Sequence, residues 1–522
     1  MNHPLKPRVL IVDNDPIVRT HLEKLLSYLR YSVACAMGEG SLLRDNARKL
    51  AQRFRPHTIV VDLRLGDDED KQDVSGFEMM KYFKNTPLIL YSSYLNMDIM
   101  RQAFKDYNVM DVVKKNDHPH KLEEAVLHAV QQTSNFHRTL EVIFEDNWSY
   151  SLIIQYLFGR ATANVPQPSD IADILGQLFN GKTRLKICAL GENIPSTRLV
   201  SRGHSVVVKA FPDDLEPVAV KFAPTRQIQQ EQENYKEHIA GRMPNQFCAL
   251  LNKTNAFWDV GAAVYSFLGS TNHNLPSFSA FYQKEPDPQK ILKPLRHFFE
   301  EVWAGFYQNL TLMHDVSLFE QYDEFLHLTK RLRKYPASTT PPGFDKQTNP
   351  FEWLLQNQMK SQVPQAQNCI THGDLHGDNL FTDGLHSWAI DFERTGRNHA
   401  YRDFAELEMD IFSRLLAGEN QSFEEFHTLA MSFASSLESW ENLPKNLAEN
   451  KEVMKAVTVS KGLRACARKL LPAFDPQQYR WALCLDAIFV ALITPRGDLL
   501  QKYRAWIIAS ALCDEIERNS CT

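Results

Sequence analysis

Short runs of apolar residues alternate with stretches of helical periodicity over the first 130 residues of the chain. The apolar runs predict strands, and the stretches between them carry apolar residues three and four positions apart, like one face of a helix. Strands that alternate with helices predict a parallel sheet covered by helices on both faces. The predicted strands are residues 8–13, 58–62, 87–91 and 110–113, and the predicted helices are 17–29, 77–83, 99–104 and 121–132.

The pattern changes beyond residue 132. Helical spacing over residues 137–158 and a capped segment at 171–179 predict a helical connector. Strands are then predicted at 198–210, 218–222 and 258–269, with a helix at 227–239, and later helices at 294–314, 318–330 and 351–359. The predicted domains are a first domain at 5–132, the connector at 133–190, a small lobe at 191–270 and a large lobe with a helical tail at 271–522.

Composition narrows the class of protein only slightly. A chain of 522 residues with 43% hydrophobic and 23% charged residues is an ordinary globular protein of several domains. The net charge of −5 favours neither nucleic acid nor an acidic membrane surface as partner, and no basic recognition helix indicates a DNA-binding regulator. The eight cysteines form no metal-binding pattern and indicate reduced thiols. With no signal-peptide pattern and no apolar stretch of membrane-spanning length, we expect a cytoplasmic protein.

Four polar residues follow the predicted strands of the first domain. Asp13, Asp62, Ser92 and Lys115 all lie where strands end. The carboxyl ends of strands in such a sheet gather functional groups at one edge. Two carboxylates, a hydroxyl and an amine suit Mg²⁺ and a phosphoryl group, with the lysine countering negative charge.

With these residues in this order, the first domain resembles the receiver domain of two-component response regulators. The resemblance implies a flavodoxin-like, doubly wound parallel sheet of five strands and a sensor histidine kinase as phosphodonor. It also implies that Asp62 accepts the phosphoryl group, that Asp13 and Asp62 bind Mg²⁺, that Ser92 is the switch hydroxyl and that Lys115 contacts phosphate. The chain departs from the family at Asn14, where a second acid is usual. Phosphorylation and docking without phosphorylation therefore both stay open.

A second set of polar residues lies between apolar runs in the segment 370–393. Asp374 stands in a turn, Asn379 follows five positions later, and Asp391 comes after the next apolar run. Phosphoryl transfer needs a carboxylate beside the acceptor hydroxyl and oxygen ligands for Mg²⁺ nearby. Each residue alone is typical of a capped turn. Together they predict a phosphotransferase site.

The nucleotide side of such a site is predicted upstream. Lys221 interrupts an apolar strand, and the helix after it carries Glu231, with Glu233 as the alternative partner. In protein kinases a strand lysine held by a helix glutamate contacts the phosphates of ATP. The turn at Gly203 with Ser205 offers backbone N–H groups for the same phosphates.

The segment His372-Gly373-Asp374-Leu375-His376-Gly377-Asp378-Asn379 resembles the signature of aminoglycoside phosphotransferase-like and choline kinase-like enzymes. The resemblance implies a bilobal protein kinase-like domain, so the fold class is multidomain α/β plus α+β. It implies Asp374 as catalytic base, Asn379 and Asp391 as Mg²⁺ ligands, and Asp403 as a brace for the catalytic loop. It further implies ATP binding by Gly203, Ser205, Lys221 and Glu231.

Two functions follow from these patterns. The first is an ATP-dependent kinase acting on a hydroxyl of a small molecule or protein and governed by the receiver. The alternative is a non-catalytic signalling module whose kinase-like domain binds nucleotide or a partner. Homodimers through receiver or connector helices are a further expectation. Trp440, Trp481 and Trp506 are expected in the core, and the basic residues Lys461, Arg464, Arg468 and Lys469 on a solvated face.

Overall fold

The structure, a computed structural model, divides the chain into two compact units. The first unit is Met1–Ile228 with Asn252–Tyr265, and the second is Gln229–Leu251 with Ser266–Thr522. The structure describes residues 6–66, 70, 72–133, 140–159, 166–190, 205–269, 275–334, 340–417, 422–435, 443–494 and 498–520.

A five-stranded parallel sheet with helices forms the first part of the first unit. Its strand order is β2-β1-β3-β4-β5, the doubly wound order predicted for a flavodoxin-like fold. Strand β2 was not predicted, because its residues are only half-buried and lack a long apolar run. The strands are β1 (Arg8–Val12), β2 (Ser32–Cys35), β3 (Thr58–Val61), β4 (Leu88–Ser92) and β5 (Val109–Lys114). The helices are α1 (Pro16–Tyr28), α2 (Gly40–Phe54), α3 (Gly76–Tyr82), α4 (Met97–Asp106) and α5 (Pro119–Gln131).

The next part of the chain builds a six-stranded sheet in the order β10-β11-β9-β8-β7-β6. Its strands are β6 (Glu141–Phe144), β7 (Arg184–Cys188), β8 (Val206–Pro212), β9 (Val218–Pro224), β10 (Leu251–Phe257) and β11 (Val260–Ser266). Helices α6 (Tyr150–Phe158) and α7 (Pro168–Leu178) follow β6 and precede β7 along the chain. Their apolar residues are buried with those of the sheet.

The prediction of a helical connector at 133–190 is therefore wrong at both ends of this segment. Residues 141–144 form a strand although their apolar spacing also fits a helix, and a run this short does not distinguish the two. Strand β6 pairs in parallel with β7 some 40 residues later, a long-range contact that local periodicity does not reveal. The connector is part of the small-lobe sheet, so the domain boundary predicted at 190/191 falls inside one structural layer.

A buried polar junction joins the five-stranded and six-stranded sheets within the first unit. Arg8 and Arg55 both contact the carboxylate of Asp170 at the start of α7, with Arg55 Nε 2.6 Å from Asp170 Oδ2. His57 Nε2 lies 2.8 Å from Asp173 Oδ2 in the second turn of α7. Arg8 begins β1, and Arg55 and His57 precede β3, so the junction lies at the amino-terminal ends of these strands.

The second unit is mainly helical and contains two small sheets. One sheet has the order β12-β13-β16, and the other is the hairpin β14-β15. Helix α8 (Thr225–Asn234), which starts in the first unit, continues as a π-turn at Tyr235–Ile239, as predicted for 227–239. The strands are β12 (Thr311–Ser317), β13 (Gln362–Thr371), β14 (Leu380–Thr382), β15 (Ser387–Ala389) and β16 (Gly396–His399). The helices are α9 (Phe278–Lys284), α10 (Pro288–Arg296), α11 (Ala304–Gln308), α12 (Leu318–Leu326), α13 (Leu328–Leu332), α14 (Pro350–Asn357), α15 (Arg402–Asp410), α16 (Phe423–Ser435), α17 (Lys445–Glu449), α18 (Lys451–Leu470), α19 (Pro476–Ile493) and α20 (Leu499–Ser520).

Three expectations for the second unit can be compared with this structure. The helix predicted at 294–314 ends early, because Thr311–Ser317 pairs as a strand with β13. Trp481 and Trp506 are buried as expected, whereas Trp440 lies outside the described residues. The basic cluster on α18 is not wholly solvated: Arg464 is buried with its Nε 2.7 Å from Glu408 Oε1. No helix within the described ranges has both the length and the apolar character to cross a bilayer.

Candidate functional site

The first candidate site lies at the carboxyl edge of the five-stranded sheet. Lys115 Nζ is 2.8 Å from Asp13 Oδ2 and 2.6 Å from Asp62 Oδ2, so one ammonium bridges the two carboxylates. Ser92 ends the neighbouring strand β4 and is fully buried. Because β1, β3, β4 and β5 are parallel neighbours, the residues that follow them meet at one edge.

The charges at this edge influence one another. Burial raises the pKa of Asp13 to about 6, although Lys115 opposes the rise. Burial by itself would lower the pKa of Lys115, but Asp62 and Asp13 outweigh it and raise that pKa. Among the described residues, Lys115 is thus the one cation within ion-pair distance of the two carboxylates.

A divalent cation fits this donor set. Asn14 Oδ1 is buried and has no hydrogen-bond partner among the described residues, and it adjoins the carboxylate of Asp13 in sequence. Carboxylate and amide oxygens are the ligands that Mg²⁺ prefers. The substitution of the usual acid by Asn14 therefore leaves an oxygen that can still bind a metal ion.

The second candidate site is the loop that follows β13 in the second unit. Gly373 has φ +78°, and a Cβ there would lie 2.3 Å from the carbonyl oxygen of Arg394. Only glycine accommodates both this backbone conformation and this close approach. His372 is buried, and its Nε2 lies 2.9 Å from the carbonyl oxygen of Ile390. These contacts hold the loop against the segment after β15.

Helix α15 presents three carboxylates to the backbone of this loop. Asp403, Glu406 and Asp410 are spaced i, i+3 and i+7, so they share one face of the helix. Asp403 accepts the backbone N–H groups of His372 and Gly373, each at 2.9 Å. Glu406 accepts the N–H of Leu375 at 2.8 Å, and Asp410 accepts that of Gly377 at 2.9 Å.

Asp403 braces the loop as the resemblance implied, whereas Glu406 and Asp410 were missed. Their signal in the sequence is the acidic i, i+3, i+7 spacing in a helix whose residues are otherwise mostly apolar. Tyr307 adds a hydrogen bond from its hydroxyl to Asp403 Oδ2 at 2.9 Å. Charged acceptors for backbone N–H groups give strong hydrogen bonds, so the row fixes the loop geometry.

Asp374 is displayed at the tip of this braced loop with 32% of its side chain exposed. Burial raises the pKa of this carboxyl, but the Arg394 guanidinium, with His376 and His372, outweighs burial and lowers it to about 2. Arg394 Nη1 lies 3.1 Å from Asp374 Oδ1. Asp374 is therefore ionised at neutral pH and can accept a hydrogen bond from an alcohol.

Asn379 contacts Asp374, and Asp391 follows the hairpin β14-β15. Asn379 is buried, and its Nδ2 donates to the backbone oxygen of Asp374 at 2.9 Å, so its amide is oriented by the loop. Asp391 has φ +67°, an uncommon conformation for a residue other than glycine. An amide oxygen and a carboxylate are a suitable donor set for Mg²⁺.

The residues predicted to bind ATP belong to different parts of the molecule. Lys221 lies in β9 of the first unit and is buried, and Glu231 lies in α8 of the second unit and is buried. Glu233 is exposed, so burial favours Glu231 of the two alternatives. Ser205 is half-buried just before β8, and Gly203 falls outside the described residues. The nucleotide assignment for these residues stays a prediction.

Two family models match the chain. One is the response regulator receiver domain, over residues 9–127, and the other is ternary complex associated domain 9, over residues 337–491. No curated protein matched the sequence.

Solved structures of receiver domains match about a quarter of the chain. A response regulator from Thermotoga maritima is 20% identical, covers 24% of this chain and 99% of its own, and has a TM-score of 0.21. A receiver domain of a modulated diguanylate cyclase from Desulfovibrio desulfuricans G20 is 23% identical, with 24% and 96% coverage and a TM-score of 0.21.

The solved structure of a phosphotransferase matches a larger part of the chain. A thermostable mutant of aminoglycoside phosphotransferase APH(4)-Ia, in complex with ADP and hygromycin B, is 10% identical. It covers 67% of this chain and 98% of its own, with a TM-score of 0.36.

The receiver interpretation combines three observations: the strand order, the Asp13–Lys115–Asp62 cluster and the family match. The resemblance predicted from the sequence is confirmed for this part of the chain. Residues 9–127 are a response regulator receiver domain.

Proposed function

We propose that this protein is a response regulator whose output domain transfers the γ-phosphoryl group of ATP to a hydroxyl acceptor. The observation that carries the proposal is the braced loop, in which Asp403, Glu406 and Asp410 hold four backbone N–H groups. An arrangement of this kind keeps the ionised Asp374 in one position. Catalysis of phosphoryl transfer depends mainly on such positioning.

In this mechanism the Asp374 carboxylate accepts a hydrogen bond from the acceptor hydroxyl and orients its oxygen. A carboxyl with a pKa of about 2 is a weak base, so it receives the proton late, as the bond to phosphorus forms. Asn379 and Asp391 would hold Mg²⁺, which supplies charge stabilisation for the phosphates when bound. By the resemblance, the nucleotide would be held by Lys221, Glu231, Ser205 and Gly203.

The receiver would govern this activity through Asp62, with a sensor histidine kinase as phosphodonor. In support, Lys115 bridges Asp13 and Asp62, and Ser92 ends the neighbouring strand β4. The receiver also shares a buried ionic junction with the six-stranded sheet that carries Lys221. This junction favours regulation through strain or reorientation within the first unit over regulation through release of the receiver. The protein that we propose is cytoplasmic.

The test uses purified full-length protein, radiolabelled ATP, Mg²⁺ and fractionated cell extract as the source of acceptor. The wild type is expected to label an acceptor, and Asp374→Ala is expected to label none. Asp345→Ala, which changes an exposed loop aspartate, is the matched control and should behave like the wild type. Equal labelling by the wild type and Asp374→Ala contradicts the proposal.

The alternative is a non-catalytic module that binds nucleotide or a partner. Two observations favour it: the ion pair of Arg394 with Asp374, and the description of residues 337–491 as a ternary complex associated domain. Nucleotide binding without turnover over all extract fractions would support this alternative.

A further inference from the structure

We infer that the acceptor is an anionic alcohol, whose phosphate or carboxylate group binds Arg331 and Arg394 while its hydroxyl faces Asp374. This inference rests on the proposed phosphotransferase function and names the class of its acceptor. The observation behind it is a pair of guanidinium groups that share one aromatic ring in the second unit, next to the proposed catalytic carboxylate.

Phe489 of α19 is the ring that both arginines contact. The Cζ of Arg331 lies 5.3 Å from the ring centroid, and the Cζ of Arg394 lies 5.6 Å from it. These distances are within the range of cation–π attraction. Phe489 is buried in the helical core, so its ring is a fixed support for two otherwise long and mobile side chains.

Each arginine is further held by one polar contact. Arg331 Nε donates to the carbonyl oxygen of Leu326 at 2.9 Å, which ties α13 to the end of α12. Arg394 Nη1 lies 3.1 Å from Asp374 Oδ1. The two half-buried guanidinium groups thus lie on one ring, and one of them, Arg394, contacts Asp374.

The local charge is unbalanced in the positive direction at Arg331. Arg394 has Asp374 as its partner and is also influenced by Glu406, Glu393 and Asp391. In contrast, no described carboxylate lies within ion-pair distance of Arg331. Burial, and then the positive charge of Arg394, lower the pKa of Arg331. The nearby Glu406 does not compensate, because it is engaged by Arg402 Nε at 2.9 Å and by the N–H of Leu375.

Two like charges held close together are unfavourable unless an anion binds between them. The planar guanidinium presents paired N–H donors that match the oxygens of phosphate or carboxylate. A cationic alcohol would meet repulsion at the same place, so the arrangement also selects against amino alcohols. The pair Arg331–Arg394 therefore distinguishes acceptors by the sign of their charge.

The first experiment measures binding of inorganic phosphate to the full chain by titration calorimetry, without nucleotide. Arg331→Gln and Arg394→Gln are compared with Arg333→Gln, a nearby exposed arginine. Each of the two site variants is expected to weaken phosphate binding at least tenfold, since a charge-assisted hydrogen bond is lost. Arg333→Gln should bind like the wild type. Unchanged binding in both site variants, or no phosphate binding by the wild type, overturns the inference.

The second experiment separates this inference from the proposed function. ATP-dependent phosphorylation is measured with glycerol, glycerate, glycerol 3-phosphate and choline, which differ mainly in charge. A preference for either anionic alcohol that falls at least tenfold in Arg331→Gln supports the inference, and a preference for glycerol or choline overturns it while leaving phosphotransfer intact. Phosphate binding that depends on Arg331, with no turnover of any alcohol, supports the anion site and counts against the proposed function alone.

Discussion

Arg55 and Asp170 form a fully buried ion pair, with Nε 2.6 Å from Oδ2 and neither side chain exposed. Arg55 belongs to the receiver, and Asp170 begins a helix of the neighbouring sheet domain. Arg8 shares the same carboxylate, and Arg55 also contacts Asp259 in the turn between β10 and β11. This network therefore connects the receiver to the rest of the first unit. Removal of any one partner would leave a buried charge uncompensated.

We predict that Asp170→Asn destabilises the first unit by about 3–5 kcal/mol, because it leaves two buried guanidinium groups without their anion. Urea unfolding followed by fluorescence measures this loss. Asp214→Asn is the control, since Asp214 pairs with Arg184 at the exposed surface and should contribute less than about 1 kcal/mol. Similar losses in the two variants would contradict a structural role for the junction.

Phosphorylation of the receiver is expected at Asp62. Acetyl phosphate should give an acid-labile label on the wild type, and Asp62→Asn should abolish it, because the acceptor oxygen is gone. Asp106→Asn, at the exposed end of α4, is expected to keep the label. A wild type that takes no label from acetyl phosphate or from a histidine kinase would leave docking as the only role of the receiver.

Asp403→Asn is expected to lower the turnover number about 100-fold while ATP still binds. The amide retains one oxygen acceptor but turns an N–H donor toward a backbone N–H of His372 or Gly373, which displaces the loop. A displacement on the order of 1 Å at a catalytic group has an effect of this size. Initial rates and ATP titrations check the prediction, and turnover equal to that of Asp345→Asn would refute it.

Gly373→Ala should destabilise the second unit by more than about 3 kcal/mol, because the new Cβ meets the Arg394 carbonyl oxygen at 2.3 Å and φ is +78°. Gly396→Ala, in the adjacent strand β16, has no atom within 4 Å of its new Cβ and should be tolerated. Thermal unfolding compares the two. A Gly373→Ala protein as stable as Gly396→Ala would be inconsistent with the tight loop.

His399 makes the stability of the second unit depend on pH. Burial lowers the pKa of this imidazole to about 4, below its ordinary value of 6.5, and its neighbours are Tyr322 and Gln478. The unfolded chain therefore binds a proton below pH 6.5 that the folded unit binds only near pH 4. The free energy of unfolding should fall with decreasing pH, by about 2 kcal/mol at pH 5 from this group.

The measurement is urea unfolding between pH 7.5 and 4.5 for the wild type and His399→Gln. The variant should lose this part of the pH dependence, whereas His314→Gln, at an exposed position, should retain it. Parallel curves for the wild type and His399→Gln would show that the buried imidazole is not the source.

The polar residues of both sites were predictable because each is tied to a local pattern. Asp13, Asp62 and Lys115 follow apolar strands, and parallel strands bring their carboxyl ends to one edge. Asp374 and Asn379 lie within one short loop, so their spacing in the chain limits their spacing in the structure. The positions of these polar residues relative to neighbouring apolar segments were therefore sufficient to group them into two candidate sites.

Contacts between distant segments were decided only by the tertiary structure. Strand β6 was predicted as helix because its pairing with β7 spans about 40 residues, and Thr311 was predicted as helix although it pairs with Asn368. The periodicity of a short segment does not record which distant strand it will meet.

Contacts between distant segments also determine the surroundings of the candidate site residues. The sequence by itself determined which residues are proposed to carry the phosphoryl-transfer chemistry. The tertiary structure decided that Glu406 and Asp410 hold the loop, that Arg55 meets Asp170, and that Arg331 shares a ring with Arg394. These contacts depend on the packing of helices and strands far apart in the chain, which no local pattern specifies.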